Sequence, residues 1–461
     1  MIYVVGIFIG YVLHVLYRLN WIITVVLLCF MEFMTFLYHK RYYQAKEKEK
    51  SFLEVSLYLD TVLYSFLKEE KVDLAIRDVS LTLSDGKMKS LAQQVFEYMN
   101  MSFEEVEVLK EALHKIEKEY PCQRIIDVHQ FMIHVEEYGG EIEKSVNLLL
   151  EDKNRWEQRV KRTIAERNKQ ILDVILSVMA SFFICAAMMH LPLGMMDISE
   201  EWMVQIGAFL AIICNLGIVY HALNYVNIDW IQLQLSEEDA YYVQKMVQFK
   251  EYEEKKEKKL SYILGGVGCI VTAAVFIMQK EWLTVIFMGL TIVFFEQHKV
   301  GRKLQQKYLT REIKYAFPKW LLDIVLLLQS ENVHVALQKS YEHVPGVLRK
   351  ELFLLIERLE MEPEDSAPYH AFLKDFSVPE VHSAMGILYS LSVGNSANAD
   401  KQIGELVEKN LELLDHAEME LLRSSANGLY VLFLLPVVVA SFKLIVDMIF
   451  MMLNFIQIPM V

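Results

Sequence analysis

No G-x-x-x-x-G-K-S/T phosphate loop occurs in the 461 residues, so the chain has no element for cradling and hydrolysing ATP by itself. It also has no G-x-S-x-G nucleophile turn and no arrangement of paired catalytic carboxylates. Its five cysteines (Cys29, Cys122, Cys185, Cys214 and Cys269) form no CxxC pair, and four of them sit in apolar segments. They read as small hydrophobes rather than disulfides or metal ligands. A basic excess is missing too: the net charge of -14 argues against a nucleic-acid binder. No stretch alternates apolar and polar residues between turn signals, so no sheet is expected.

The chain is instead rich in residues of two opposed kinds. Hydrophobic residues make up 54% and charged residues 23%. A uniform soluble protein rarely combines these values, whereas a membrane protein with large aqueous parts separates them into blocks. Apolar segments near the length of a bilayer span lie at roughly 2–17, 21–38, 171–191, 204–226, 260–279, 282–297 and 428–450. The N-terminal segment lacks a basic flank and a small-residue cleavage site, which fits a retained hairpin rather than a removable signal. Lys and Arg number five in 39–50, seven in 153–169 and seven in 298–319, while the loop 192–203 has none and carries Asp197, Glu200 and Glu201. The positive-inside rule then places both large polar blocks in the cytoplasm.

The expected fold is an all-α multi-pass membrane protein, with two cytoplasmic antiparallel bundles of about six helices each alternating with transmembrane helix pairs. The expected order is a hairpin (1–38), a bundle (39–168), a transmembrane pair (169–226) and a charged connector (227–259). A second hairpin (260–297), a second bundle (298–427) and a terminal transmembrane helix (428–461) follow. Helices of the first bundle are expected near 51–69, 71–82, 87–99, 102–118, 122–138 and 141–168. The two halves share local text: "FLKEEKVDLAI" at 66–76 aligns with "LLQSENVHVAL" at 327–337. Ser102 and Glu105 read as a capping box, and Pro318, Pro345 and Pro379 as helix starts. "MEPEDSAPY" at 361–369 reads as a loop.

The stretch from Tyr138 to Gln170 runs into the span 171–191 without a glycine or proline after Gly140. Ile142, Val146, Leu149, Trp156, Val160 and Ile164 form one apolar stripe. Arg155, Arg159, Lys161, Arg162 and Arg167 lie largely off it, on a basic face expected to meet water or a partner.

Other polar features read as structural. "GGVG" at 265–268 lies within an apolar span and predicts close helix packing rather than phosphate binding. His129 and His134 are five apart, near Glu136 and Glu137, which is the wrong spacing for two ligands on one helical face. Glu32, Asp173, His190, His221, Lys443 and Asp447 fall inside or at the ends of spans. Lys443 and Asp447 are spaced to neutralise each other, and Glu32 has no evident partner. The group reads as isolated residues rather than an ion path, with Pro436 expected to kink the last span. In the connector, Glu251–Lys255 and Glu254–Lys258 are spaced as pairs on a solvated helix.

The order of elements resembles the type II secretion system F domain family, the inner-membrane platform proteins of type II secretion, type IV pili and tight-adherence (Tad) pili. That family's motif has a glycine pair, an amphipathic stretch, spaced arginines and an Ala-Glu before the membrane. It is matched here by Gly139, Gly140, Arg155, Arg159, Arg162, Ala165 and Glu166. A weaker second copy keeps Gly394, Ala417, Glu418 and Pro436. Family domains also carry L-L-x-S-G-x5-A-L; this chain has Leu327, Leu328, Ser330, Ala336 and Leu337, one residue short of that spacing, with Glu331 in place of the glycine and Glu70 at the aligned position of the first copy.

The resemblance implies a non-enzymatic platform with two F-type domains and no cofactor or metal. It implies a separate hexameric secretion ATPase and a pilin or pseudopilin as partners, contact with membrane lipids and self-association, in a bacterial inner membrane. A membrane sensor or scaffold, or a transporter subunit, is the alternative. A transporter predicts polar groups converging within the spans.

Overall fold

The computed structural model describes residues 2–101, 106–139, 142–190, 201–225, 227–231, 239–250, 254–277, 281–329, 331–376, 378–394 and 399–457. The capping box at 102–105, Gly140, Ser330, most of the loop 192–203 and Glu251 lie outside these residues, as do the side chains of Glu254 and Lys258. Among the described residues the protein is all-α, with no strand. Four helical stretches are long and apolar enough to cross a membrane: parts of Trp21–Glu69, Ile142–Ala187, Trp202–Asn224 and Gly428–Leu453. Shorter apolar helices cover Gly6–Tyr17 and Ser261–Ile277, and the segment 282–297 opens a further long helix. The chain is a membrane protein on this composition.

The helices run in the order α1 (Ile2–Tyr17), α2 (Trp21–Glu69), α3 (Val72–Thr82), α4 (Lys87–Met101), α5 (Val106–Glu119), α6 (Gln123–Tyr138), α7 (Ile142–His190) and α8 (Trp202–Asn224). They continue as α9 (Asp239–Lys250), α10 (Glu254–Ile277), α11 (Glu281–Leu327), α12 (Val333–Ser340), α13 (Gly346–Met361), α14 (Ala367–Ala371), α15 (Pro379–Val393) and α16 (Ala399–Gln457). Four of them are rods: α2 and α7 have 49 residues each, α11 has 47 and α16 has 59. At 1.5 Å per residue a 49-residue helix is about 74 Å long, more than twice the hydrocarbon thickness.

The chain divides into two compact units. One is Met1–Glu137, Leu149–Leu233 and Met419–Val461, and the other is Tyr138–Leu148 with Gln234–Glu418. In the first unit, α1 and α2 form a hairpin whose turn holds Arg18 at φ 48 and Asn20 as the cap of α2. Gln205 of α8 stitches that turn, accepting from the Asn20 amide at 2.9 Å and donating to the Arg18 carbonyl at 2.9 Å. The apolar core here draws on α1, α2, α7, α8 and α16, through Tyr17, Leu27, Val178, Ile212 and Leu429. The second half of α2 buries Phe52, Val55, Tyr58, Leu59, Val62, Leu63 and Phe66, whose spacing makes one helical stripe. The ring of Phe52 meets Trp156 of α7 edge-on at 4.8 Å.

α2 ends at Glu70, whose amide donates to the Phe66 carbonyl at 2.8 Å while its backbone sits at φ 53. This is the left-handed helix stop that glycine takes without strain. At the aligned place in the second unit, the Glu331 amide donates to the Leu327 carbonyl, also at 2.8 Å. Val72 and Ala75 are as buried after the first stop as Val333 and Ala336 are after the second. Glu70→Gly is expected to stabilise the first unit by about 1 kcal/mol, because a side chain in that backbone region carries a penalty of this order. A shift to higher denaturation temperature in detergent checks it.

In the second unit, Trp320 of α11 donates to the Ser340 hydroxyl at 3.0 Å and stacks on Phe372 at 5.7 Å. Pro345 caps α13, and Pro379 opens α15 as the sequence predicts. Pro318 departs from expectation: it lies inside α11 rather than at a helix start. Buried Ile313, Phe317, Trp320 and Leu321 pack on both sides of it, and that burial outweighs the missing hydrogen bond. The loop expected at 361–369 is shorter, because Ala367–Ala371 is helical with proline near its start. Gly265 and Gly268 serve helix packing. A Cβ on Gly265 would lie 2.7 Å from the Phe295 ring, and one on Gly268 would lie 2.9 Å from Thr291.

Candidate functional site

Two of the rods, α2 and α7, are joined by a lattice of charged and polar groups. Lys153 of α7, only 3% exposed at its side chain, donates to Asp60 of α2 at 2.5 Å and to Glu157, one turn along α7, at 2.6 Å. Ser56 of α2 donates to the same Glu157 carboxylate at 2.7 Å, and Lys161 pairs with it from the solvent side. Burial would raise the Glu157 carboxyl, but the bonds from Lys153, Lys161 and Ser56 outweigh it and hold the group down at about 2. Next to this lattice, Arg124 of α6 forms a two-pronged bond to Asp152 of α7 at 2.7 and 3.1 Å and lies 5.0 Å from the Trp156 ring.

A second buried set starts from the same stretch of α2, at Tyr58 between Ser56 and Asp60. The Tyr58 hydroxyl is 2.7 Å from His129 Nε2, and His129 Nδ1 is 2.8 Å from Glu117 of α5. With Glu117 accepting, Nδ1 carries the proton and Nε2 accepts from tyrosine. Both ring nitrogens are thus engaged, leaving none for a metal. No cluster able to hold a metal ion occurs among the described residues. Burial lowers the His129 pKa below its ordinary 6.5, with Glu117 opposing in part. Because the unfolded chain protonates first, stability from this group is full above pH 6.5 and declines as the pH falls below it. The Glu157 contribution is full above 4.5 and declines as the pH falls toward about 2. Stability is therefore expected to drop between about pH 7 and about pH 5, with a flatter slope in His129→Gln. Denaturant titrations of the purified protein at several pH values check this.

Where α7 approaches its apolar segment, a collar of polar contacts ties both α7 and α2 to α8 and the residues just after it. Arg167, 1% exposed, donates to the Tyr225 carbonyl at 2.6 Å and lies 5.3 Å from the Trp230 ring. Burial lowers its pKa to about 10, which leaves it charged at neutral pH. From α2, Tyr38 donates to the Leu216 carbonyl at 2.7 Å, Arg41 bonds the Tyr220 hydroxyl at 3.4 Å, and Lys48 donates to the Asn227 carbonyl at 3.2 Å. The Tyr225 ring itself lies directly against Gly428 of α16, where a Cβ would fall 2.7 Å from its Cε1.

The structure distributes the motif residues rather than gathering them. Arg155 pairs with Glu151 at 2.7 Å and Arg162 with Glu166 at 2.9 Å, both on the outer face of α7. Arg159 and Arg167, expected on the basic outer face, are buried at 8% and 1%. The cause is periodicity: 156, 160, 163 and 167 continue the apolar stripe by steps of four and three, so Arg167 points inward, and Arg159 flanks it. Gly139 ends α6 at φ 72, and Gly394 ends α15 with its amide on the Ser390 carbonyl at 2.9 Å. Each described glycine thus turns the chain just before a rod, α7 or α16. Glu418 is buried at 2% on α16.

Sequence reasoning passes over Lys153, Glu157, Asp60, Arg124 and Gly428, and weighs His129 only against His134 rather than with Tyr58 and Glu117. The signal for the first two is the i, i+4 series Lys153, Glu157, Lys161. Compared with known proteins, the chain matches no family model, no curated protein and no solved structure.

Proposed function

We propose that the chain is an inner-membrane platform protein of a Tad or type IV pilus-like, or type II secretion, machine. In this reading both bundles are cytoplasmic. A separate hexameric secretion ATPase acts on them, and the platform couples its cycle to assembly of pilin or pseudopilin, or to export. The platform is no enzyme and takes no cofactor. It contacts lipid and self-associates.

The observation that carries the reading is the continuity of α7. One helix runs from the Lys153–Glu157 lattice through Arg167 into an apolar segment ending at His190, with no break among its 49 residues. A displacement delivered to the bundle therefore reaches the bilayer without a hinge. The outer pairs Arg155–Glu151 and Arg162–Glu166 leave a charged face on the same rod for a partner. The Lys and Arg bias at 39–50 and 153–169 supports the cytoplasmic placement.

Inserting a few glycines between Lys169 and Leu172 tests the coupling. Glycine costs helix stability at each position and adds a swivel. Membrane insertion and expression are expected to persist while filament assembly or secretion is lost. Unchanged assembly in the insertion variant would sink the proposal.

A further inference from the structure

Of the ionisable residues of the spans, Lys443 and Asp447 meet as their spacing predicts, and polar groups from other helices gather around them. Lys443 and Asp447 pair on α16 with side chains 1% and 0% exposed. Gly207 of α8 lies against the Lys443 stem, where a Cβ built on it would sit in ordinary contact, 3.5 Å from Cδ. From α1 the Tyr17 hydroxyl donates to the Phe182 carbonyl at 3.2 Å and bonds the Cys185 thiol of α7, and both side chains interact electrostatically with Asp447. Cys185 bonds Ser181, which accepts from Asn215 of α8 at 3.1 Å. The titratable groups facing the pair are thus Tyr17 and Cys185, while α8 contributes Gly207.

Two polar atoms in this cluster have no hydrogen-bond partner: Asp447 Oδ2 and Asn215 Oδ1, on residues that are both 0% exposed. A buried carboxylate oxygen without a donor is costly, and a proton placed on it removes the charge that makes it so. An exposed side chain borders one end of the cluster. Exposed His190, at the end of α7, lies 3.0 Å from the carbonyl of Leu16, the neighbour of Tyr17. At the other end the Ser177 hydroxyl is committed to the Phe433 carbonyl at 2.9 Å.

We propose that Lys443 and Asp447 form a proton-binding site within the membrane, loaded from the side where α1 turns into α2. Hydronium gives its proton to Asp447 Oδ2 and leaves as water, and the carboxylate becomes a carboxylic acid. The Lys443 ammonium keeps its protons and loses its counter-charge. It must then lean toward Tyr17 and Cys185 or move with α16, so proton occupancy shifts the seat of α16 among α1, α7 and α8. His190 and Tyr17 are positioning and relay residues on the entry side.

The test is infrared difference spectroscopy on the full-length protein in lipid vesicles, stepped between about pH 9 and about pH 4. A carboxylic-acid carbonyl band is expected on acidification, corresponding to about one proton per chain, and Asp447→Asn removes it. Tyr17→Phe and His190→Ala keep the band and slow its appearance. The double variant Lys443→Met/Asp447→Leu, which leaves no unpaired charge, serves if the single one does not fold, and it too lacks the band. Absence of any Asp447-dependent band overturns the proposal, as does a wild-type rate in both entry-side variants. Neither ATPase nor filament is needed, so the result is separate from the fate of the platform reading.

Discussion

Lys153→Met is expected to be the most damaging single change in the first bundle. The ammonium bonds Asp60 on one rod and Glu157 on the other, and its removal leaves two carboxylates facing each other next to a buried methionine. Breaking a buried ion pair by deleting one partner costs about 3–5 kcal/mol. Asp60 and Glu157 keep 34% and 21% exposure, so water screens part of the repulsion and about 3 kcal/mol is the better figure. The loss should appear as a lower denaturation midpoint of the purified protein. It should also appear as faster proteolysis in the α2–α7 region, with the membrane part still folded. Removing the carboxylates as well, in Lys153→Met/Asp60→Leu/Glu157→Leu, should recover most of the stability, because an apolar replacement leaves no unpaired charge. If the triple variant remains as unstable as the single one, packing of the lysine stem rather than charge balance holds the rods together.

Gly428→Val is the second large effect expected, and its cause is volume. A Cβ at 428 falls onto the ring of Tyr225, 2.7 Å from its Cε1, and the carbonyl of that same residue is the acceptor for Arg167. The Tyr225 backbone caps α8 with its amide on the Ala222 carbonyl at 3.1 Å, so relief has to come from turning the ring or shifting α16. Forcing methyl groups into such a site costs about 2 kcal/mol and moves α16 away from α8. Gly428→Ala should give a smaller loss, and Tyr225→Ala should rescue the valine variant by opening the space. Thermal denaturation of the three proteins in one detergent measures this. A valine variant as stable as the parent would mean that α16 does not pass this close to α8.

Helices were legible in the sequence wherever one apolar stripe met a clear stop. The helix ends expected at 69, 82 and 138 are where α2, α3 and α6 stop. The apolar positions Val146, Leu149, Trp156 and Val160 are buried on α7 as their spacing predicts. The extent of the rods was less legible. Nothing in 39–50 is apolar enough to extend the stripe of α2, yet helix propensity and the ties of Arg41 and Lys48 carry it through to Glu69. In α11, Pro318 reads locally as a start, and only its packed neighbours reveal that the helix continues across it.

The candidate sites were harder still, because charge in a sequence has no address. Lys153 and Lys161 contribute equally to a topology count, and only the fold makes one a buried cross-link and the other a surface pair. The convergence of Tyr17, Cys185, Asn215 and Asp447 joins residues up to 430 positions apart, from Tyr17 to Asp447, and no local pattern encodes it.

The pairing of Lys443 with Asp447 has a consequence for how the chain is made. Both charges lie on one helix, one turn apart, so each finds its counter-ion as soon as that turn forms. The last apolar segment can therefore leave the insertion machinery already neutral, without waiting for α1, α7 and α8 to receive it. Had the aspartate lain on α8 instead, the lysine would have entered lipid alone, at a cost of about 3 kcal/mol on the insertion scale. Placing both charges on α16 makes its entry into lipid independent of the order in which the other helices arrive.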